Sequence, residues 1–165
     1  MNNFEQKIEE ILLENKIKSA PIPVEDIAKK YNIAIGTTPS DRFSGVLLRK
    51  EDGTSYIAVN SKESPVRQRF TIAHELGHYF LHPNTQTFVD FRDITQNVTR
   101  NPKERQANKF AAALLMPKKI LQKDVAAIAD EGILPEHIKF LASKYKVSEE
   151  AMSYRLINLH LSTSK

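Results

Sequence analysis

The amino-acid sequence predicts an α+β fold in which helices predominate and a small β-sheet or hairpin is the minor part. Apolar residues recur at helical spacing along most of the chain, and two short β-prone segments, GVLLRK and SYIAVN, flank the turn EDGT. The chain is 41% apolar and 27% charged, as in ordinary globular proteins. Its 165 residues predict a single domain, 1–165, whose C-terminal helical part spans about 118–165.

The N-terminal elements follow from local patterns. Apolar residues spaced three or four apart predict a first helix of about four turns: Phe4, Ile8, Ile11 and Leu12. A short helix is expected from Pro23 to Tyr31, ending at Asn32, and IAIG is expected to form a short strand. The Asp-Gly pair of EDGT predicts that the next two strands form a hairpin.

Proline and capping residues predict the later helices. One begins near Ser64, with Pro65 at its first position, and reaches about His82. Residues 83–100 are predicted to form a long loop, which in a compact domain is usually functional or mobile. The next helix has Asn101 as its cap, Pro102 first and Pro117 just beyond its end. Three more helices are expected near 118–129, 135–145 and 148–160.

The composition restricts the class of function. Because the chain has no cysteine, a metal site must use His, Asp or Glu, and disulfides and Cys-ligated zinc fingers are excluded. The start MNNFEQKIEE lacks a signal-peptide pattern, and no apolar run approaches the roughly 18 residues of a membrane helix. We therefore expect a cytoplasmic protein. The net charge of +4 is weak evidence for nucleic-acid binding.

The segment RFTIAHELGHYFLH contains the candidate catalytic residues. His74 and His78 lie four residues apart, so on a helix both imidazoles share one face and can bind one ion. Zinc would lower the pKa of a water molecule that it binds, and Glu75 could accept the proton as general base. The alternative is a structural helix with two hydrogen-bonded histidines. Gly77 in mid-helix costs about 1 kcal/mol relative to alanine, which indicates a reason of packing or of access to the site.

A third ligand is needed, because catalytic zinc uses three protein ligands and one open position. His82 is unsuitable, since it lies about 12 Å along the helix axis from His74. Glu104 is the better candidate: together with Ala107, Asn108 and Ala111 it forms one helical face.

The alanines on this face allow close helix packing, and Asn108 could hydrogen-bond the far nitrogen of a ligand histidine. Glu104 could instead belong to a capping box. Asp90 and Asp93 are alternative ligands, whereas His137 and His160 show no partner pattern.

The segments RQRFTIAHELGHYFLH and ERQANKFAAALLMP together resemble the ImmA/IrrE family of metallopeptidase-like proteins. PIPVEDIAKKYNIAI, IAVN and LASKYKVSEEAMSYRLINL extend the resemblance over most of the chain. It implies a zincin-like metallopeptidase core with Zn²⁺ bound by His74, His78 and Glu104, and Glu75 as general base. Members are often bacterial or encoded by phages, and some cleave or inactivate helix-turn-helix repressors. We therefore expect a separate repressor polypeptide as the protein substrate.

The sequence also suggests residues around the substrate. GVLLRK is the predicted edge strand for an extended peptide, since strand addition is a common mode of peptide recognition. Tyr56, Tyr79 and Tyr154 are possible oxyanion donors, although tyrosines also serve in packing.

Non-proteolytic regulation is the competing hypothesis, through binding of a repressor or of DNA. VEDIAKKYNI and IKFLASKYKVSEEAMSYRLINL have helix-turn-helix spacing, and Lys144, Lys146 and Arg155 form a small basic patch. Glu149 and Glu150 at the start of the last helix would repel phosphates, so packing is the preferred interpretation of this segment. A metal-bound protein that sequesters its partner without cutting it is a further alternative.

Overall fold

The computed structural model describes residues 3–84, 86–91, 101–129 and 132–161. This part of the chain contains seven helices and four strands. The helices are α1 (Asn3–Glu14), α2 (Val24–Lys30), α3 (Pro65–Leu81), α4 (Pro102–Leu115), α5 (Lys118–Ala126), α6 (Pro135–Tyr145) and α7 (Glu149–Asn158). The strands are β1 (Ile33–Thr38), β2 (Phe43–Arg49), β3 (Ser55–Asn60) and β4 (Thr87–Phe91). The predicted α+β class, with helices predominating, is confirmed.

The four strands form one sheet in the order β1-β3-β2-β4. β1 is parallel to β3, whereas β2 is antiparallel to both of its neighbours. The predicted β2–β3 hairpin is present, closed by a bond from Lys50 N to Thr54 O of 2.9 Å. Asp52 Oδ1 accepts a bond from Thr54 N at 2.9 Å, and Gly53 adopts φ +84°, which favours glycine. Local turn chemistry therefore accounts for the hairpin.

Two expectations about the strands are wrong. Residues 87–91 form β4 instead of part of a long loop, because their backbone pairs with β2. The same pairing places β2 inside the sheet, so GVLLRK is not an edge strand. Within the described part of the chain, β1 and β4 are the outer strands. Residues 92–100 of the predicted loop lie outside the described residues.

The helices begin and end close to the predicted positions. α1 has 12 residues, a little over three turns instead of four, and α5 ends at Ala126, before the predicted limit at 129. Ser64 and Ser148 cap α3 and α7 by accepting bonds from Arg67 N and Ala151 N at 3.3 and 3.1 Å. Among the described residues, no helix is both long and apolar enough to cross a membrane.

Contacts between Cα atoms divide the chain into two compact units. The first unit comprises Met1–Ile22 and Ala112–Lys165, and the second unit comprises Pro23–Ala111. The first unit has a buried core that includes Ile8, Ile11, Leu121, Leu141, Tyr145, Met152 and Leu156. The core of the second unit includes Ile27, Ile33, Leu47, Ile57, Val59, Ile72, Leu76 and Phe110. That residues 1–165 form a single domain stays a prediction.

Candidate metal centre

Helix α3 carries the HELGH segment through the interior of the second unit. Eight consecutive residues, from Thr71 to His78, are buried, so the polar side chains among them need partners inside the protein. His74 is 2% exposed, Glu75 0% and His78 1%. A histidine pair buried to this degree must be hydrogen-bonded or bound to a metal.

Three side chains converge on one point. His74 Nε2 lies 3.1 Å from Glu104 Oε2, and His78 Nε2 lies 3.2 Å from Glu104 Oε1. The two Nε2 atoms are 3.0 Å apart. Ligand atoms about 2.0–2.1 Å from a tetrahedral zinc ion lie roughly 3.3 Å from one another. The spacing of the three groups is therefore close to what one ion requires, and their ligand atoms all lie within 4.8 Å of one another.

Close packing of α4 on α3 brings Glu104 to the histidines. A Cβ atom at Gly77 would lie 3.1 Å from both Cα and O of Ala107, and 3.2 Å from Phe110 Cδ1. The two helices thus approach each other closely at Gly77 and Ala107, beside the ring of Phe110. Ala107 and Ala111 are fully buried, as the alanine face of the sequence indicated. Gly77, unfavourable in an isolated helix, is explained by this contact.

The protonation states of the cluster suit a cation. Desolvation raises the pKa of Glu104, but its contacts with the imidazoles of His74 and His78 outweigh this effect and lower the pKa to about 2. Burial lowers the pKa of His78, against the opposing effect of its hydrogen bond with Glu104. At neutral pH the carboxylate is therefore ionised and the His78 imidazole is neutral, which are the forms that bind metals.

Hydrogen bonds on the far side of each imidazole orient the pair. His74 Nδ1 lies 2.9 Å from Asn108 Oδ1, so this N–H donates to the amide oxygen and Nε2 faces Glu104 with its lone pair. Helical spacing from Glu104 predicted this role for Asn108. His78 Nδ1 lies 3.1 Å from His82 Nδ1, and His82 Nε2 lies 2.9 Å from Gln106 Oε1.

His82 and Gln106 were missed by the sequence analysis. His82 is only 8% exposed and follows the last turn of α3, where its backbone N–H donates to His78 O at 3.0 Å. It was rejected as a ligand on distance, and its contact with His78 was overlooked. The spacing of four residues, identical to that between His74 and His78, was a signal that could have revealed it.

Glu75 points toward the sheet. A Cβ atom at Gly45 of β2 would lie 3.0 Å from Glu75 Oε1 and would also collide with Thr71 Cγ2. Gly45 therefore leaves the space that the Glu75 carboxylate occupies. The strand and the helix can approach closely at this point because Gly45 has no side chain.

Arg49 joins the end of β2 to the end of α3. Its Nη1 donates to His82 O at 2.8 Å, and its Nη2 donates to His78 O at 3.2 Å and to Tyr79 O at 2.7 Å. These carbonyls lie at the C-terminal end of α3, where a cation is favourable, and His78 O also accepts the backbone bond from His82 N. Desolvation lowers the pKa of Arg49, although arginine stays charged throughout the ordinary pH range.

The predicted oxyanion donors are dispersed. Side chains alternate along β3, so Tyr56 lies on the opposite face of the sheet from Ile57 and Val59. Val59 pairs with Gly45, which is next to Glu75, so Tyr56 and Glu75 lie on opposite faces of the sheet. The Tyr79 ring lies under the Arg49 guanidinium, 5.3 Å from centroid to Cζ. Tyr154 belongs to the first unit and is 61% exposed.

The remaining candidates do not join the described cluster. His137 Nδ1 accepts a bond from Leu134 N at 3.1 Å at the start of α6, and His160 is exposed after α7. The side chain of Asp90 and the whole of Asp93 lie outside the described residues.

An α+β domain with two helical histidines and a glutamate from a second helix has the architecture of a metallopeptidase core. A peptidase family model, described as the IrrE N-terminal-like domain, matches residues 28–157. The chain belongs to this family, which confirms the resemblance to ImmA and IrrE.

Curated relatives are similar over part of their length. Metallopeptidase ImmA of Bacillus subtilis (strain 168) is 33% identical over 110 residues, 67% of this chain and 61% of the relative. Radiation response metalloprotease IrrE of Deinococcus radiodurans is 32% identical over 101 residues, 61% of this chain and 30% of the relative. Uncharacterized immunity region protein 2 of Bacillus phage phi105 is 38% identical over 63 residues, 38% of each chain. This chain thus spans less than two thirds of these relatives.

A solved structure described as a Mycobacterium tuberculosis transcriptional regulator has the same fold. Its TM-score is 0.65 at 16% identity, with 94% of this chain and 46% of that chain covered. At this identity the likeness concerns the fold alone.

Proposed function

We propose that this protein is a zinc-dependent endopeptidase in which His74, His78 and Glu104 bind Zn²⁺. The convergence of two imidazole nitrogens and one carboxylate within 3.0–3.2 Å carries the proposal. Two histidines and a glutamate are a ligand set of catalytic zinc, whereas magnesium and calcium prefer oxygen ligands. Membership in a peptidase family supports hydrolysis of a peptide bond as the reaction.

When bound, zinc would supply Lewis-acid polarisation of the scissile carbonyl and activation of water at neutral pH. Glu75 accepts the proton of the attacking water and passes it to the leaving amine. Its fully buried carboxylate, held against Gly45, is kept out of bulk solvent. Glu104 contributes a negative charge near the ion, and Asn108 holds the His74 ring in its binding orientation.

We propose that the substrate is a protein, and specifically a helix-turn-helix repressor. Similarity to a phage immunity region protein and to a radiation response metalloprotease supports a role in the regulation of a mobile element or a stress response. A repressor substrate would place the reaction in a bacterial cytoplasm. An extended peptide would bind at the outer edge of β4, because β4 pairs only with β2 among the described strands.

Metal analysis and cleavage assays test this function with the repressor encoded beside the gene as substrate. The wild type should hold one zinc per chain and cleave the repressor unless a chelator is present. His74→Ala should lose stoichiometric zinc. Glu75→Gln should retain zinc while cleavage slows by about 10²–10⁴-fold, the usual contribution of a general base. Glu150→Gln, at an exposed position of α7, is the matched control and should change neither property.

Other outcomes would contradict the proposal. Stoichiometric zinc in His74→Ala would exclude the ligand set, and unchanged turnover in Glu75→Gln would exclude the general base. Metal-dependent repressor binding without cleavage would indicate sequestration. A shift of operator DNA without repressor would indicate direct DNA binding, which Glu149 and Glu150 in the first turn of α7 disfavour.

A further inference from the structure

The two ligand histidines differ in how their outer nitrogens are held. His74 Nδ1 faces an amide oxygen directly, at 2.9 Å. His78 Nδ1 faces another imidazole, because His82 Nδ1 lies 3.1 Å away. An imidazole nitrogen is a donor in one tautomer and an acceptor in the other, so this contact alone does not fix the direction of the hydrogen bond.

The orientation of the Gln106 amide, with its oxygen toward His82, fixes that direction. Its Oε1 lies 2.9 Å from His82 Nε2, and a carbonyl oxygen only accepts, so His82 Nε2 carries the proton. In a neutral His82, Nδ1 is then an acceptor, and His78 Nδ1 must donate to it. The proton of neutral His78 is consequently on Nδ1, which leaves a lone pair on the Nε2 atom that faces Glu104 and His74.

The opposite direction would be incompatible with metal binding. If His82 donated from Nδ1, the proton of neutral His78 would be on Nε2, where it would occupy the position of the ion. The hydrogen-bond chain Gln106–His82–His78 therefore has two directions, and only the one with the Gln106 oxygen at its end presents a metal-binding His78.

We propose that His82 and Gln106 are positioning residues of the metal centre, which select the tautomer of His78 that binds the ion. This inference rests on the proposed zinc site. Neither residue contacts the ion: His82 acts on His78, and Gln106 acts only through His82. Groups that orient ligand histidines in this way typically contribute 10- to 100-fold to metal affinity.

Helix α4 then has three functions within one and a half turns. Glu104 faces both histidines, Gln106 ends the chain to His78, and Asn108 accepts from His74. These three side chains, at alternate positions of α4, are the ones that this helix contributes to the described centre.

Zinc dissociation constants, measured by competition with a chelator, test the chain. His82→Phe keeps an aromatic ring without an acceptor and should weaken binding by about 10- to 100-fold. Gln106→Leu should weaken it in the same direction by a smaller factor, and Gln106→Glu, which keeps an acceptor, should restore it. Because Gln106 is exposed, its variants should fold normally, and circular dichroism verifies this for all three. Arg105→Leu, the exposed neighbour on α4, is the matched control and should bind as the wild type does.

A double-mutant cycle separates the hydrogen-bond chain from a simple charge effect. In the His82→Phe background, Gln106→Leu and Gln106→Glu should no longer change zinc affinity, because the residue that transmits their effect is absent. A persistent effect would mean that position 106 acts through charge or packing, and would overturn the proposal.

Nuclear magnetic resonance supplies a readout that a general structural role would not change. In the zinc-loaded ¹⁵N-labelled protein we expect a scalar coupling between His78 Nδ1 and His82 Nδ1, with the shared proton on His78. A proton on His82 Nδ1, or variants with wild-type zinc affinity, would overturn this inference and leave the proposed function intact. A wild type without stoichiometric zinc would overturn both.

Discussion

Gly77 is the residue at which the backbone of α4 contacts α3. We predict that Gly77→Ala lowers both stability and metal affinity, although alanine is the better helix former by about 1 kcal/mol. The new Cβ would lie 3.1 Å from the Ala107 backbone, which cannot move as a flexible side chain can. Overpacking of this kind costs about 1–3 kcal/mol. Zinc affinity should fall roughly tenfold, because Glu104 moves away with α4 and metal sites tolerate only about 0.5 Å.

Thermal unfolding and chelator competition measure the two effects of Gly77→Ala. Val66→Ala is the matched control on the same helix: Val66 is 38% exposed, and its replacement should not reduce metal affinity. A Gly77→Ala protein that is more stable and binds zinc normally would show that the helices can separate without cost to the site.

Residues of the candidate site could be predicted from the sequence where helical periodicity alone brings their side chains to one face of a helix. His74, Glu75 and His78 follow from spacing within one helix, and Glu104 and Asn108 follow from one face of another. His82 and Gln106 depend on how α3 and α4 cross, which the periodicity of either helix alone does not specify. The role of Gly45 likewise required the position of β2 over Glu75.

The C-terminus of α3 depends on an arginine from another element. We predict that Arg49→Met destabilises the protein by about 2 kcal/mol, since three carbonyls of the helix end lose a charged donor. Arg49→Lys should recover only part of this, because an ammonium group lacks the planar fork that reaches several acceptors. For a protein of this size the melting temperature should fall by about 4–8 °C in Arg49→Met.

Thermal unfolding checks the Arg49 prediction, with Lys50→Met as control. Lys50 is the next residue along the chain, and its side chain is exposed, so its loss should leave the melting temperature unchanged. Equal effects of the two substitutions would show that charge alone, and not the bonds to α3, is responsible.

Element boundaries were predictable where capping and turn residues mark them. Ser64, Pro65 and Ser148 mark helix starts, and the Asp-Gly turn marks the β2–β3 hairpin. β4 was not recognised because its five residues gain stability from pairing with β2, a strand about 40 positions earlier in the chain. Since β4 was missed, β2 was wrongly placed at the edge of the sheet.

Metal binding should couple to the stability of the whole molecule. A ligand that binds only the folded state stabilises it by about 2.7 kcal/mol at a free concentration of 100 times the dissociation constant. We therefore predict that zinc at this concentration raises the melting temperature of the metal-free protein by about 5–11 °C. The His74→Ala protein should show no such shift.

Differential scanning calorimetry of the chelator-treated protein, with and without added zinc, measures this coupling. Calcium at the same concentration is the control ion and should have little effect, since it prefers sites built from oxygen ligands. A shift of equal size in His74→Ala would place the zinc at a different site.

The metal centre joins residues that are 30 positions apart, from His74 to Glu104. An ion held by both helices would connect the two ends of this stretch only in the folded state, so folding must supply the entropy of closing the loop between them. Loop-closure entropy grows only logarithmically, so doubling the stretch would cost about 0.6 kcal/mol more. We therefore expect the connection between the two helices to tolerate changes in length, whereas the helix contact at Gly77 should not tolerate an added side chain.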